Sequence, residues 1–332
     1  MKMKRLCSAI TVAVMALSAM AADNAKTDLT PKFHGALRTR WEMDTQEGLQ
    51  RFQVRNARLS MEGKIIDCIG YFFQTDLCDQ GKMKILDAYG KLDAAEGLQI
   101  KAGQFRMPFG IETFKSPNNY VFANRSFLGK QVMNYRAVGA QAGYTFKGTP
   151  LTIEAGAFNT NTIGDHNVWN KSVSFASRAV FKPGQWTLAT GFASIDPQGF
   201  RANLVNGAVY WDDDSHWLVG GEYIHEHYCN DAAKGVSTWV GLVDWHTPIK
   251  AGVFNRLSLQ LREDGMTDHM TMDGTAVEPA RNRITGGATI SCVRGALHCD
   301  LRVNYEKYLY HHDYEPAKGQ GDKVVAELVI RF

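Results

Sequence analysis

The chain has 332 residues, 37 basic and 34 acidic, for a formal net charge of +3. Lys2, Lys4 and Arg5 account for that excess, so the remainder is balanced and offers no basic surface for nucleic acid. No apolar run reaches the roughly twenty residues of a membrane helix, and no linker or compositional break divides the chain.

The first segment reads as an export signal. A basic start (Met1 to Arg5) precedes an apolar run from Ala9 to Met20, and Ala19-Met20-Ala21 fits a small-residue cleavage site. The expected cut follows Ala21, giving a signal peptide over 1–21 and one domain over 22–332. The cysteines beyond Cys7 (Cys68, Cys78, Cys229, Cys292 and Cys299) have no zinc-type spacing and form no disulfide framework.

From residue 32 onward the dominant signal is alternation. At the start, Phe33, Leu37 and Trp41 oppose His34, Arg38, Arg40 and Glu42. Near the end, Leu297, Cys299, Leu301, Val303 and Tyr305 oppose His298, Asp300, Arg302, Asn304 and Glu306. A period of two means strands with one apolar and one polar face. About sixteen such segments fit the chain, at roughly ten residues each, joined by alternating short and long connections. The short ones include 95–97, 147–149, 183–184, 212–214 and 294–295; the long ones include 44–50, 106–134, 160–170, 264–280 and 309–322. Aromatic residues such as Trp41, Tyr71, Phe146, Trp186, Trp217 and Trp245 fall near segment ends, where membrane interfaces collect them. The chain ends on Phe332, on an apolar face. These features predict an all-β transmembrane antiparallel barrel of sixteen strands, rather than a soluble sandwich.

The stretch from Gly103 to Arg136 breaks the pattern. It has no sustained period, seven aromatic residues, and five bases (Arg106, Lys115, Arg125, Lys130, Arg136) against the single acid Glu112. A connection this long is functional or disordered, and its aromatic content argues against disorder. It reads as an ordered, basic, aromatic loop over 106–136 between two strands.

Several blocks resemble the phosphate-selective porin O and P family of Gram-negative bacteria. They are RFQVRNARLSMEGKI at 51–65, YFFQTD at 71–76, ILDAYGKL at 85–92, LQIKAGQFRMPFGIE at 98–112 and FANRS at 122–126. The resemblance implies a sixteen-stranded, homotrimeric outer-membrane channel, which passes small anionic or neutral solutes past an inward-folded constriction loop over 106–136. It also implies pore-facing roles for Arg55, Arg58, Arg106 and Arg125.

Alternation alone assigns wall charges to the lumen. The bases are Arg38, Arg40, Arg58, Lys101, Lys147, Arg178, Arg256, Arg262, Arg283, Arg302 and Arg331. The acids are Glu42, Glu62, Asp76, Asp87, Asp93, Glu154, Glu222, Asp244, Asp300, Glu306 and Glu327. These equal numbers predict little wall selectivity, leaving the loop as the main source of charge preference, because a ring of Arg or Lys favours anions at a constriction. The same bases have a plainer reading, as lipopolysaccharide ligands or as partners of wall carboxylates.

Other groupings read as incidental. His225, His227 and Cys229 share a face with Trp217 and Tyr223 and are assigned to the outer interface rather than to a metal. Asp212 to Asp214 read as a solvated turn rather than a calcium site. Cys292 and Cys299 flank a tight turn, where register decides whether they can bond. No nucleophile–base motif or phosphate-cradling loop is present, and no cofactor is implied. The expected function is passive diffusion of small hydrophilic solutes, with a weak preference for anions such as phosphate, across the outer membrane of a Gram-negative bacterium. The alternative is a non-conducting surface barrel that binds ligands through its outer loops.

Overall fold

The computed structural model describes residues 28–79, 81–129, 135–160, 166–196, 201–229, 233–270, 276–312, 314, 316 and 319–332. The 1–21 leader and Lys130 lie outside the described residues. Each alternating segment forms a strand. They are β1 (Lys32–Asp44), β2 (Gln50–Ile66), β3 (Ile69–Asp79), β4 (Lys82–Ala95), β5 (Leu98–Arg106), β6 (Arg136–Thr145), β7 (Leu151–Phe158), β8 (Ser174–Phe181) and β9 (Trp186–Ile195). They continue as β10 (Ala202–Asp212), β11 (Trp217–Tyr228), β12 (Val236–Ala251) and β13 (Phe254–Met266), then a small hairpin of β14 (His269–Met270) and β15 (Ala276–Glu278). The last three are β16 (Arg281–Arg294), β17 (Leu297–Tyr310) and β18 (Lys323–Arg331).

Leaving aside the hairpin, sixteen strands close into one barrel in which every neighbour is antiparallel. Closure is made by β1 against β18, with Trp41 opposite Ala326 and Ala36 opposite Arg331. A closed sheet leaves no unpaired edge in hydrocarbon, which is why a strand-built span must be a barrel. Burial follows the period of two. Val303 is 54% exposed on the outer face, whereas its neighbour Asn304 is fully buried on the inner one. Exposed Phe33, Phe52, Phe73, Tyr144, Trp186, Trp217 and Tyr305 mark the outside as the lipid face.

The short connections gather at one end, with the start of β1 and the end of β18. Asp213 there accepts backbone N–H groups from Ser215, His216 and Trp217 at 2.6–2.9 Å. Those bonds, led by Trp217 and His216, hold its carboxyl down at about 2. The aspartate run is thus a self-capped turn. His225 and Tyr223 both reach Ser237, at 3.0 and 2.8 Å. Cys292 lies directly opposite Cys299, and both are free thiols.

The loop between β5 and β6 turns inward. Phe109, Phe127 and Leu128 join Phe158, Ala193, Leu204, Ile224, Val236 and Met266 in a buried apolar cluster. Phe122 joins a second with Val180, Ala189, Tyr210 and Leu242. The loop therefore packs its apolar side against the inner wall of β7–β13 as a domain core would, while β1 and β2 meet it through polar groups.

Because Val303 sits mid-strand on the lipid face, Val303→Arg is expected to lower the unfolding free energy by about 2–4 kcal/mol. Denaturant titration of the refolded protein in lipid vesicles measures the loss.

Candidate functional site

The loop is fastened at its base, its first turn and its crest. At the base, Met107 N–H donates to Tyr135 O at 3.2 Å. Arg106, at the end of β5, sends Nη1 to the carbonyls of Thr113 (2.9 Å) and Lys115 (2.5 Å). It braces the loop from beneath.

At the first turn, Gly110 adopts φ +67° and lies so close to Glu222 and Thr113 that a Cβ would collide with both. This contact lets Glu222, 3% exposed on β11, accept the N–H groups of Ile111 (3.1 Å) and Glu112 (2.7 Å). Arg178 on β8 is paired with Glu154, donates Nη1 to Gly110 O (3.1 Å) and lies 3.7 Å from the centre of the Phe114 ring.

At the crest, three guanidiniums take three successive carbonyls. Arg38 donates to Ala123 O (2.6 Å), Arg262 to Asn124 O (2.8 Å) and Arg283 to Arg125 O (2.5 Å). Asn304 accepts Ala123 N–H at 2.7 Å and Asp264 accepts Phe127 N–H at 2.8 Å. The Asn124 side chain bridges Arg40 (2.8 Å) and Glu306 (3.0 Å). These guanidiniums are buried and held by acids: Arg38 by Glu327 (2.6 Å), Arg283 by Asp264 (2.8 Å) and Glu306 (3.3 Å), Arg262 by Asp264 (3.1 Å). Buried charges persist only when paired and hydrogen-bonded. The loop backbone supplies the remaining acceptors.

A cavity of about 630 Å³ lies beside the loop, lined by β1, β2 and β4, by the loop itself, and by residues at or next to β6–β9 and β16–β18. Its lining includes Arg38, Arg40, Arg51, Arg55, Arg58, Lys84, Arg125, Arg136, Arg283 and Lys323, against only Glu42 and Asp79. The wall charges counted along the chain are equal in number but sorted in space, with bases gathered around this cavity. Most of these bases still have a carboxylate at hand. Arg58 meets Asp76 (3.0 Å), Arg136 meets Asp87 (3.0 Å), Arg55 and Lys84 share Asp79 (2.9 Å each), and Arg40 and Arg51 share Glu42 (3.1 and 2.5 Å). Among the described residues, Arg106 and Arg125 have no carboxylate partner; Arg125 donates to Gly129 O (3.3 Å) and lies 5.4 Å from the Tyr120 ring centre.

Of the loop bases assigned to the constriction, Arg125 and Arg136 line the cavity. Arg106 is spent on loop carbonyls. Lys115 is bound to Glu112 at 2.6 Å and sits over the Tyr210 ring, 4.8 Å from its centre, and neither member of this pair is in the lining of the cavity. Of the wall set, Arg38, Arg40, Arg55, Arg58 and Arg283 line the cavity. Arg178 and Arg262 anchor the loop; Lys101 lies in a separate recess with Gln141 and Glu154; Arg302 lies in another with Asp300 and Tyr120. Sequence reasoning missed Arg51, Lys84 and Lys323. Arg51 has the parity of the outer face in an unbroken strand, and the signal that would have placed it, a bulge, is not written in a period of two.

The phosphate-selective porin O and P family matches residues 38–193, just under half of the chain. No curated protein sequence matches significantly. Solved structures share the fold at low identity. An anion-selective porin from Comamonas acidovorans is 12% identical, with a TM-score of 0.64 over 92% of this chain and 99% of that one. Salmonella typhi OmpF, in complex with daunomycin, is 13% identical, with a TM-score of 0.62 over 92% and 98%. A loop-deletion form of Vibrio cholerae OmpT is 10% identical, with a TM-score of 0.59 over 91% and 98%. Family and fold are those of outer-membrane channels, not of enzymes.

Glu222→Leu strands two loop N–H groups, at about 1–3 kcal/mol each. Limited proteolysis is expected to cleave within 107–129 faster than in the unmodified protein, and single-channel traces to show larger current fluctuations.

Proposed function

We propose that this porin is a passive diffusion channel for small hydrophilic solutes with a weak preference for anions, its selectivity set where Arg125 and Arg136 face the β1–β2 arginines. The observation that carries this reading is the lining of the cavity, ten bases against two acids. In a narrow, partly desolvated passage Coulomb terms grow several-fold over bulk water, and Arg rings favour anions. The preference is weak because acids in or behind the wall hold most of these bases: Asp76, Asp87, Asp79, Glu42 and Glu327. Arginine can present two parallel N–H donors to a carboxylate or phosphate, so small anions of either kind fit, together with neutral solutes. No gate or energy source is invoked; flow follows the gradient.

The surroundings follow from the outer face. The apolar belt sits in outer-membrane lipid, with lipopolysaccharide around the long-loop end, and the chain reaches the membrane after cleavage of the 1–21 leader. A homotrimer is the assembly implied by the family.

Reversal potential in a salt gradient across a planar bilayer is the test. Chloride is expected to permeate better than potassium. Arg125→Gln removes a charge without a carboxylate partner and is expected to lower the chloride-to-potassium ratio by about two- to fivefold, the effect of one charge at ~8 Å. A folded barrel that never conducts, or an unchanged ratio in the variant, refutes the reading.

A further inference from the structure

Two irregularities of the wall lie at the level of the loop. In the β1–β2 pairing Arg38 faces Asn56 while Thr39 faces Val54, so Arg55 is an extra residue. In the β3–β4 pairing Gln74 faces Asp87 while Thr75 faces Ile85, so Leu86 is extra. Both bulges are capped by buried side chains. Asp76, fully buried, accepts Ala57 N–H at 2.9 Å beside the first. Gln104, 5% exposed, donates Nε2 to the carbonyls of Ile85 and Leu86, both at 2.9 Å, beside the second. Bulges built this way re-aim side chains and gather next to functional sites.

Their product is a cavity with two kinds of lining. Arg40, Arg55 and Arg58 on β1 and β2 supply a cationic side; Leu86, Met107 and Tyr135, from β4 and the two ends of the loop, supply an apolar one. A fully hydrated inorganic anion gains nothing from the apolar side, whereas an anion joined to hydrocarbon can use both. We infer that the passage favours amphipathic organic anions, a carboxylate carrying a small hydrocarbon or aryl group, and that the bulged residues Arg55 and Leu86 set that preference. This rests on the anion-preferring reading above and narrows its solute class.

The test is block of single-channel chloride current by phenylacetate, acetate and phosphate. Phenylacetate and acetate share a carboxylate, so their difference reads the hydrocarbon alone. Phenylacetate is expected to reach half-block at a concentration about fivefold or more below that of acetate or phosphate, from burial of part of the ring. Leu86→Asn, close in volume, is expected to bring phenylacetate to the acetate value, and Arg55→Gln to raise the half-block concentration of phenylacetate. Equal or stronger block by acetate or phosphate in the unmodified channel overturns the inference. So does an undiminished phenylacetate advantage in Leu86→Asn protein whose heat-modifiable migration shows it folded. A cation-preferring reversal potential in the unmodified channel overturns the underlying anion reading instead, whatever the block ratio.

Discussion

The rest of this structure depends on how the far wall holds the loop crest. The segment from Phe122 to Phe127 crosses the barrel and would leave buried carbonyl and N–H groups without partners. Arg38, Arg262 and Arg283 meet three successive carbonyls, and Asn304 and Asp264 take two N–H groups. The same acids that hold these guanidiniums also hold the loop, so wall charge and loop backbone satisfy each other. Removing either leaves buried charge or buried amide unpaired, which is why neither is independent of the other.

Apolar packing gives this docking its direction. Phe109, Phe122, Phe127 and Leu128 have no lipid to meet inside a barrel, and pack mainly against the inner faces of β7–β13, with Phe127 also meeting Tyr308 on β17. The loop therefore leans to one side. The opening is forced to the other, where β1 and β2 carry arginine. Charge separation in the lumen is thus a consequence of hydrophobic packing on the opposite wall. The carboxylates in and behind the arginine wall, Asp76, Asp79, Asp87, Glu42 and Glu327, keep these cations folded in place and moderate the field they project.

Much of this architecture was legible in the chain. Sixteen alternating segments, short and long connections in turn, and interface aromatics reproduce the sixteen barrel strands closely, because alternation is imposed directly by lipid on one face and water or loop on the other. That the loop is ordered was legible from its length and its aromatic residues; that it folds inward was implied by the family resemblance alone. The sorting of charges was not. Arg178 and Arg262 face the lumen as Arg40 and Arg58 do, and nothing local distinguishes an arginine that only holds a loop carbonyl from one that lines an opening. Lys115 and Arg125 likewise look alike as loop bases, yet one is paired with Glu112 over Tyr210 and the other lines the cavity.

By itself the sequence determined the barrel class, the lipid-facing surface and the presence of an ordered basic loop, since each follows from composition and period at neighbouring positions; sixteen was its best-fitting strand count, and barrel closure fixed it. The tertiary structure alone decided where the loop leans, which bases remain open, and that bulges at Arg55 and Leu86 line the same cavity. Those outcomes depend on contacts across the barrel, such as Asn304 with Ala123, 181 residues apart, and no local pattern encodes a partner at that distance.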